Sequence, residues 1–293
     1  MVSKQAGYKA RILGTFMVVF VLCALLETVA IAGVNDDFLQ AAKRGDLAAV
    51  KGFIDKGVDV NAKDNQSEGS TALMFASRNG HRDVVELLLA KGAEVNAKNK
   101  SDATALMLAS NEGHRDVVEL LLSKGADVNS MANVGLTALI LASQNGHRGV
   151  VDLLLAKGAD VNGKGGNVGL TALMLASQNG HNEIVQLLIA KGADVNAKTK
   201  DGVNALYLAS KTGNPKIVHT LLAKGSDVNV KDGEGGTALM HASLNGHKEM
   251  VKLLLAKGAE VNAKANNGLT ALMVASQKGH KEIKNMLIRA GAK

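Results

Sequence analysis

Cysteine, proline and aromatic residues are scarce in this chain. Its 293 residues include one cysteine, one proline, no tryptophan, two tyrosines and five phenylalanines. A single cysteine, Cys23, excludes a disulfide within the chain, since a disulfide joins two cysteines. The small number of aromatic side chains disfavours single-stranded nucleic acid as a partner, because proteins that bind it stack the bases on aromatic rings. We therefore expect a fold without disulfide crosslinks and no nucleic-acid partner.

What the chain does contain is one short phrase repeated seven times. Its copies begin at Thr71, Thr104, Thr137, Thr171, Asn204, Thr237 and Thr270. Subtraction of these start positions gives steps of 33 or 34 residues. A period of this size is typical of a stacked array of small units rather than one globular core. Such arrays repeat a surface, and a repeated surface mostly serves to bind something.

Each copy contains two short apolar stretches with helical spacing and a polar gap between them. In the copy at 104–125 the gap is residues 111–114. Thr104 is suited to cap the first helix, and Gly113 fits the left-handed residue that ends it. In another copy the second stretch begins with Asn214-Pro215, a helix-start signature. Each unit is therefore predicted to be a helix, a tight turn, a second helix ending at Lys-Gly, and a loop.

The segment Gly169–Lys198, GLTALMLASQNGHNEIVQLLIAKGADVNAK, combines these features and resembles the ankyrin repeat nearly end to end. The resemblance runs from about Asn35 to Lys293. It implies an all-α ankyrin-repeat solenoid of about eight helix-turn-helix repeats with short hairpin-like loops. The repeats would start near residues 36, 71, 104, 137, 171, 204, 237 and 270.

One departure from the family is systematic. Where ankyrin repeats usually have Thr-Pro-Leu-His, this chain has Thr-Ala-Leu-Met, as at residues 71–74. The change removes a histidine that forms hydrogen bonds between repeats, so we expect weaker polar contact between neighbouring repeats. The methionines that occupy this position are expected to pack in the core. They are Met74, Met107, Met174, Met240 and Met273.

The first and last units differ from the others. Residues 36–61 form an incomplete unit that still contains the two glycines of a helix pair, Gly45 and Gly57. In the last unit, Lys284 replaces a valine that occupies the same position in the six units before it. A polar outer face on a terminal repeat stops an array from growing by aggregation. We therefore expect both ends to be capped and the protein to be a monomer.

Residues 1–32 share nothing with the repeats and have the layout of a secretory signal peptide. A basic start precedes an apolar run at 12–26, and Ala30-Ile31-Ala32 fits the small-x-small cleavage pattern. Cleavage would leave residues 33–293 as an exported, bacterial-type protein, periplasmic or secreted, that is not inserted in the membrane. The alternative is an uncleaved anchor over residues 12–32. Glu27 interrupts that segment, whose uninterrupted part is short for a bilayer crossing.

Residues that carry catalysis or bind metals do not form a recognisable motif. Six histidines recur in the gap between the two helices, but packed helices lie about 8–10 Å apart. Equivalent histidines are therefore too far apart to share a metal ion at bonds of about 2.1 Å, and we expect each to bond backbone groups at a helix start. The glycine-rich segment 163–169 lacks the Gly-Lys-Ser/Thr of a phosphate loop. A serine four residues before the histidine recurs too often to be an active site. We expect no catalysis, no metal and no cofactor.

Lysines recur at one position of the loop tips. They are Lys63, Lys98, Lys164, Lys198, Lys231 and Lys264, with Met131 as the exception. In a chain of formal net charge +7, such a row can attract an acidic protein or an anionic surface. It can equally be a solvated face, since acidic residues lie nearby. An exported effector or envelope factor that acts through this row is the alternative function.

The main hypothesis is a non-enzymatic protein-binding scaffold in an extracytoplasmic compartment. By resemblance to the family, the partner is a protein bound by the loop tips and the exposed end of the first helix, on the concave face. The copies also differ most there. The candidate residues are Arg78, Asn79, Asn111, Glu112, Gln144, Asn145, Gln178, Asn179, Lys211, Leu244, Asn245 and Gln277, with the tip lysines Lys98, Lys198 and Lys231. Leu244 is the one apolar member and the expected anchor.

Overall fold

The computed structural model describes residues 33–64 and 68–293. Within these residues the regular structure is all-helical, and isolated antiparallel bridges at three loops take the place of strands. The predicted all-α fold class of helix-turn-helix repeats is confirmed. The predicted signal peptide or anchor at 1–32 lies outside the described residues.

The helices come in pairs, and the chain divides into two compact units, Met1–Glu94 and Val95–Lys293. We call the members of each pair the first and the second helix of a repeat. The described part of the first unit contains α1 (33–44), α2 (Leu47–Asp55), α3 (Ala72–Arg78) and α4 (Arg82–Ala90). The second unit contains α5 (Ala105–Glu112), α6 (Arg115–Ser123), α7 (Ala138–Gln144), α8 (Arg148–Ala156), α9 (Ala172–Gln178), α10 (Asn182–Ala190), α11 (Ala205–Thr212), α12 (Pro215–Ala223), α13 (Ala238–Leu244), α14 (Lys248–Ala256), α15 (Ala271–Gln277) and α16 (Lys281–Arg289).

The helix ends lie where the local sequence predicts them. The Thr104 hydroxyl accepts a hydrogen bond from the backbone N–H of Met107 at 3.4 Å and so caps α5. Gly113 ends that helix with φ 83°, a left-handed conformation that a residue with a side chain adopts only at a cost. α12 begins at Pro215 after the N-cap Asn214. These signals are local, and each of them is confirmed.

The second unit has two rows of helices. The first helices α5, α7, α9, α11, α13 and α15 pack side by side, and so do the second helices α6, α8, α10, α12, α14 and α16. The recurring valine of the second helices is fully buried in both units, as Val85, Val118, Val151, Val185, Val218 and Val251. Lys284 occupies this position in α16 and is exposed, as expected of an outer face.

The methionine prediction holds for four residues and is wrong for the fifth. Met74, Met107, Met174 and Met240 are buried, whereas the side chain of Met273 is 50% exposed. Met273 lies in α15, the first helix of the last described repeat, and α13 is the only first helix among the described residues that packs against it. A position that is core in the preceding repeats is therefore surface in this one.

Candidate functional site

The predicted partner-binding residues lie at the ends of the first helices, in both units. In the first unit Arg78 is the last residue of α3, and Asn79 caps that helix. In the second unit the same two positions follow one another through α5, α7, α9, α11, α13 and α15. All of the predicted residues at these positions are exposed or half-buried. Solvent can therefore reach the surface that the sequence predicts.

The asparagines of these pairs also hydrogen-bond to the preceding repeat. Asn145 Nδ2 donates to Asn111 O at 2.9 Å, and Asn179 Nδ2 donates to Gln144 O at 2.7 Å. Asn245 repeats the contact with Lys211 O at 2.9 Å. Sequence comparison had treated both members of each pair as candidate binding residues. In the structure, the asparagine holds neighbouring repeats together, and the first member of the pair presents its side chain beside it.

The recurring histidines bond to the preceding repeat as well. Nε2 of His147 lies 2.9 Å from Asn111 O, and Nε2 of His181 lies 2.9 Å from Gln144 O. None of the histidines at these N-caps makes a side-chain cap bond to its own helix. As expected, they bond backbone groups, but the acceptors are carbonyls near the end of the preceding repeat's first helix and not groups at a helix start.

A third series of contacts ties the loops together. Asn129 Nδ2 donates to Gly158 O at 3.2 Å, while Asn129 Oδ1 accepts from the backbone N–H of Asp160 at 2.9 Å. The same two-bond contact to the next repeat is made by Asn61, Asn96, Asn162, Asn196, Asn229 and Asn262. Polar contact between repeats is therefore extensive in a chain that lacks the family histidine.

The tip lysines are exposed, including the candidates Lys98, Lys198 and Lys231. Two of the row also contact backbone of the next repeat. Lys98 Nζ donates to Met131 O at 3.4 Å, and Lys164 Nζ donates to Lys198 O at 3.2 Å. The row is therefore a solvated face in which some ammonium groups also join the loops.

A buried polar network that the sequence did not reveal lies in the second unit. The Tyr207 hydroxyl donates to Asp232 Oδ2 and lies 2.6 Å from His241 Nε2. Asp232 Oδ1 accepts from the backbone N–H groups of Glu234 at 2.9 Å and Gly236 at 2.7 Å. The Tyr207 and His241 rings meet edge to face with centroids 5.0 Å apart. The sequence around Tyr207 is apolar and helical, so it gives no sign of this polar role.

The network shifts the pKa values of its members in opposite directions. Burial of the phenol, together with its bond to the Asp232 carboxylate, raises the pKa of Tyr207. Burial alone would raise the pKa of Asp232, but hydrogen bonds from Tyr207, from two backbone N–H groups and from His241 outweigh it and lower that pKa. Tyr207 is therefore a neutral donor and Asp232 an anion at neutral pH.

A cleft of about 180 Å³ opens beside this network. Asp232 and Glu234, called the acidic wall, line the cleft together with His241 and Asn267. The apolar side is formed by Met240, Leu244, Ala265, Leu269 and Val274. Leu244, the predicted anchor, is half-buried and lines the cleft. The structure thus brings the one apolar candidate residue next to a half-buried acid that was not among the candidates.

Neither a metal-binding cluster nor a membrane-spanning helix occurs among the described residues. Residues 33–64 and 68–293 contain no group of three or more His, Cys, Asp or Glu side chains able to hold a metal ion. None of the helices in the same ranges is both long enough and apolar enough to cross a bilayer.

Comparison with known families matches the chain to "Ankyrin repeats (3 copies)". Overlapping matches cover residues 38–132, 101–165, 126–199, 163–232 and 206–293. The chain belongs to the ankyrin-repeat family. Ankyrin repeats generally mediate protein–protein interaction, and the family is generally non-enzymatic.

Individual relatives match short stretches of this ankyrin-repeat protein. Human "Ankyrin repeat domain-containing protein 39" is 48% identical over 59 residues, which are 20% of this chain and 31% of that protein. "Ankyrin repeat and KH domain-containing protein mask" of Drosophila melanogaster is 42% identical over 62 residues, 21% of this chain and 2% of that protein. Arabidopsis thaliana "Serine/threonine-protein kinase 12" has the same identity over 62 residues, 13% of its length. The chain thus matches less than a third of each of these relatives.

The recurring serine of these ankyrin repeats is not placed for catalysis. In six repeats its side chain is fully buried, as Ser77, Ser110, Ser143, Ser177, Ser210 and Ser243. A hydroxyl that solvent does not reach is not available to attack a substrate, so the interpretation of this series as structural is confirmed. What the exposed surface offers is a line of amide, charged and apolar side chains on a frame fixed by inter-repeat hydrogen bonds.

Proposed function

We propose that this ankyrin-repeat protein is an exported, bacterial-type scaffold that binds a protein partner through its loop tips and the ends of its first helices. The observation that supports the binding mode is that the two residues of a pair at a helix end have different roles. One member of a pair, such as Asn179, bonds to the preceding repeat, while its neighbour Gln178 is exposed. A pre-organised surface loses little conformational entropy on binding, which favours affinity.

Site-specific photocrosslinking tests the binding surface in the full chain. A photoreactive amino acid at Gln178 reports on the helix end, and the same amino acid at Gln186 reports on the exposed side of α10. Both are exposed glutamines of one repeat, so they are a matched pair. We expect a discrete crosslinked product with another protein from position 178 and none from position 186. Equal products from both positions, or none from 178, would contradict the proposed binding face.

The proposed export is tested separately from binding. Cell fractionation combined with intact mass measurement distinguishes the two fates of the leader predicted at residues 1–32. A mass equal to residues 33–293 in a soluble envelope or medium fraction is expected. A full-length mass in the membrane fraction would mean that the leader is an anchor. A full-length mass in the soluble cytoplasmic fraction would refute export.

The exposed tip lysines support a second candidate function, in which the row binds an acidic protein or an anionic surface. The two binding modes differ in their dependence on salt. Contacts between exposed charges weaken strongly when the Debye length falls from about 30 Å at 0.01 M salt to about 8 Å at 0.15 M salt. A steep loss of partner crosslinking over this range would favour the lysine row, whereas a small loss favours the amide and apolar contacts of the helix ends.

A further inference from the structure

We propose that the cleft beside Leu244 binds a basic and an apolar side chain that lie two positions apart, on the same face of an extended segment of a partner protein. This inference deepens the proposed scaffold function and rests on it. It names one place on the surface and the chemistry of the segment that fits there.

The first argument is that departures from the repeat converge at this cleft. At the position of Tyr207 the other copies have methionine or isoleucine, and at the position of His241 they have leucine, phenylalanine or valine. At the position of Leu244 they have polar side chains. Residues that fold the unit are nearly identical between copies, so these three exceptions do not serve the common fold. The structure brings all three to the cleft or to the network beside it.

The second argument is that the acidic wall is held rigidly. Asp232 accepts hydrogen bonds from one phenol, one imidazole and two backbone N–H groups. A Cβ on Gly236 would lie 2.8 Å from Asp232 Oδ2, so the loop is packed too closely for any larger residue. The neighbouring loop is tied to this one, because the backbone N–H of Asn266 donates to Glu234 O at 2.8 Å. The wall is therefore formed before a partner arrives.

The third argument is charge complementarity. The lowered pKa of Asp232 keeps its carboxylate ionised at neutral pH, and the Glu234 side chain is exposed at the rim of the same cleft. Two carboxylates attract an ammonium or guanidinium group and repel an acidic one. Lysines precede the cleft residues Asp232 and Ala265 in sequence. The local charge therefore suits one cation and not a run of basic residues.

The fourth argument is size and polarity. The cleft measures about 180 Å³, below the 300–1,000 Å³ or so of small-molecule sites. It has room for one large side chain. Its floor is apolar, with Met240 only 6% exposed and Val274 7% exposed, and Leu244 and Leu269 rise half-buried at its sides. An apolar side chain on this floor places a basic residue two positions along the segment near Asp232 and Glu234.

Methyl NMR of the full chain with synthetic peptides tests this proposal. The probe is a capped Gly-Ser-Arg-Ser-Leu-Ser-Gly peptide, called the Arg-Leu peptide, and the controls replace its arginine with glutamate or its leucine with serine. With methyl-labelled methionine and leucine, we expect the Arg-Leu peptide to shift the Met240 and Leu244 signals in a saturable way. Both control peptides are expected to produce much smaller shifts. No shift at millimolar Arg-Leu peptide, or equal shifts by all three peptides, would overturn the proposal.

Two variants sharpen the test. Glu234→Gln removes a charge from the exposed rim and should weaken the Arg-Leu peptide by about threefold. Leu244→Ala removes the apolar wall and should weaken it by about tenfold. Glu260→Gln, at another exposed loop acid outside the cleft, is the matched control and should bind as the unchanged chain does. Unchanged affinity in both cleft variants, with methyl spectra that show them folded, would overturn the proposal.

The outcomes also separate this inference from the scaffold function. If position 178 crosslinks to a protein but the peptide does not bind, the cleft is refuted and the scaffold stands. If the peptide binds at Met240 and Leu244 but no crosslink forms, the cleft chemistry stands and the proposed scaffold surface fails.

Discussion

Ser143 offers a direct test of how the repeats are packed. It lies in the last turn of α7, is fully buried, and its hydroxyl has no hydrogen-bond partner among the described residues. Five other buried serines at the same position share this state, so the feature belongs to the repeat. A buried hydroxyl without a partner costs about 1–3 kcal/mol in the folded state. Ser143→Ala removes this cost and leaves the Cβ where it is.

The expected result is a gain in the free energy of unfolding of about 1–2 kcal/mol. Alanine adds a little more, because its helix propensity exceeds that of serine by about 0.5 kcal/mol. Urea unfolding followed by circular dichroism measures the change as a higher midpoint at an unchanged slope. With a slope of about 3 kcal/mol per molar urea, the midpoint should rise by about 0.5 M.

Ser276 supplies the matched control. It occupies the same position in α15, but its side chain is exposed in the last repeat. Ser276→Ala should change the free energy of unfolding by no more than about 0.5 kcal/mol, as for other surface substitutions. If Ser143→Ala proves no more stabilising than Ser276→Ala, the buried hydroxyl has a partner in solution, and the reasoning about these serines is refuted.

Three further predictions follow from the loops. Asp102 has φ 56° and is the only described non-glycine residue with a positive φ. Because this conformation is costly for a residue with a side chain, Asp102→Gly should stabilise the fold by about 1 kcal/mol. Gly135→Ala, at the same loop position, should destabilise it. Asn162→Ala loses both hydrogen bonds to the next repeat and should lower the free energy of unfolding, measured with urea, by about 1 kcal/mol. The control Asn167→Ala, at the loop tip, should leave it almost unchanged. Equal effects of the two variants would contradict the role of the contact. Because the pKa of Asp232 is lowered in the folded state, its contribution is complete above the unfolded pKa and is lost as pH falls through the folded value. Asp232→Asn should therefore lower the unfolding midpoint more at about pH 7 than at about pH 2.5; an equal loss at both would refute this.

The helix pairs could be predicted because their signals are local. A capping threonine such as Thr104, a left-handed glycine such as Gly113 and the Asn214-Pro215 start all act within one or two turns of chain. The period of 33 or 34 residues then fixes how often the pair recurs. Neither inference requires knowledge of what lies on the neighbouring repeat.

The contacts between repeats could not be predicted in the same way. Asn96 and Gly125 are 29 residues apart, and His147 and Asn111 are 36 residues apart. In each case the acceptor is a backbone carbonyl. Every residue has one, so the residue type does not indicate which carbonyl accepts the bond. The donors do recur at fixed positions, but recurrence alone does not say whether a side chain caps its own helix or bonds to the repeat before it.

Repetition also misleads at the end of the array. Met273 and Lys284 follow the same register as buried residues of the internal repeats. A lysine at position 284 indicates an exposed surface. A methionine at position 273 does not, and the repeat pattern predicts that Met273 is in the core. Its exposure follows from its place in the last described repeat, which is a property of the stack and not of the residue.

The Tyr207 network shows what information the differences between repeats contain. An aspartate at the loop position of Asp232 occurs once more, at Asp64. The glycine register aligns Leu39 with Tyr207 and Phe75 with His241 in that earlier stretch, so the acid there has no phenol or imidazole in the matching positions. One polar substitution at a buried site is costly, and its tolerance depends on a partner in the next repeat. Two such substitutions at stacked positions of adjacent repeats therefore indicate that the two side chains are in contact. The acid and the apolar Leu244 lie beside this contact and form a surface that no other repeat has.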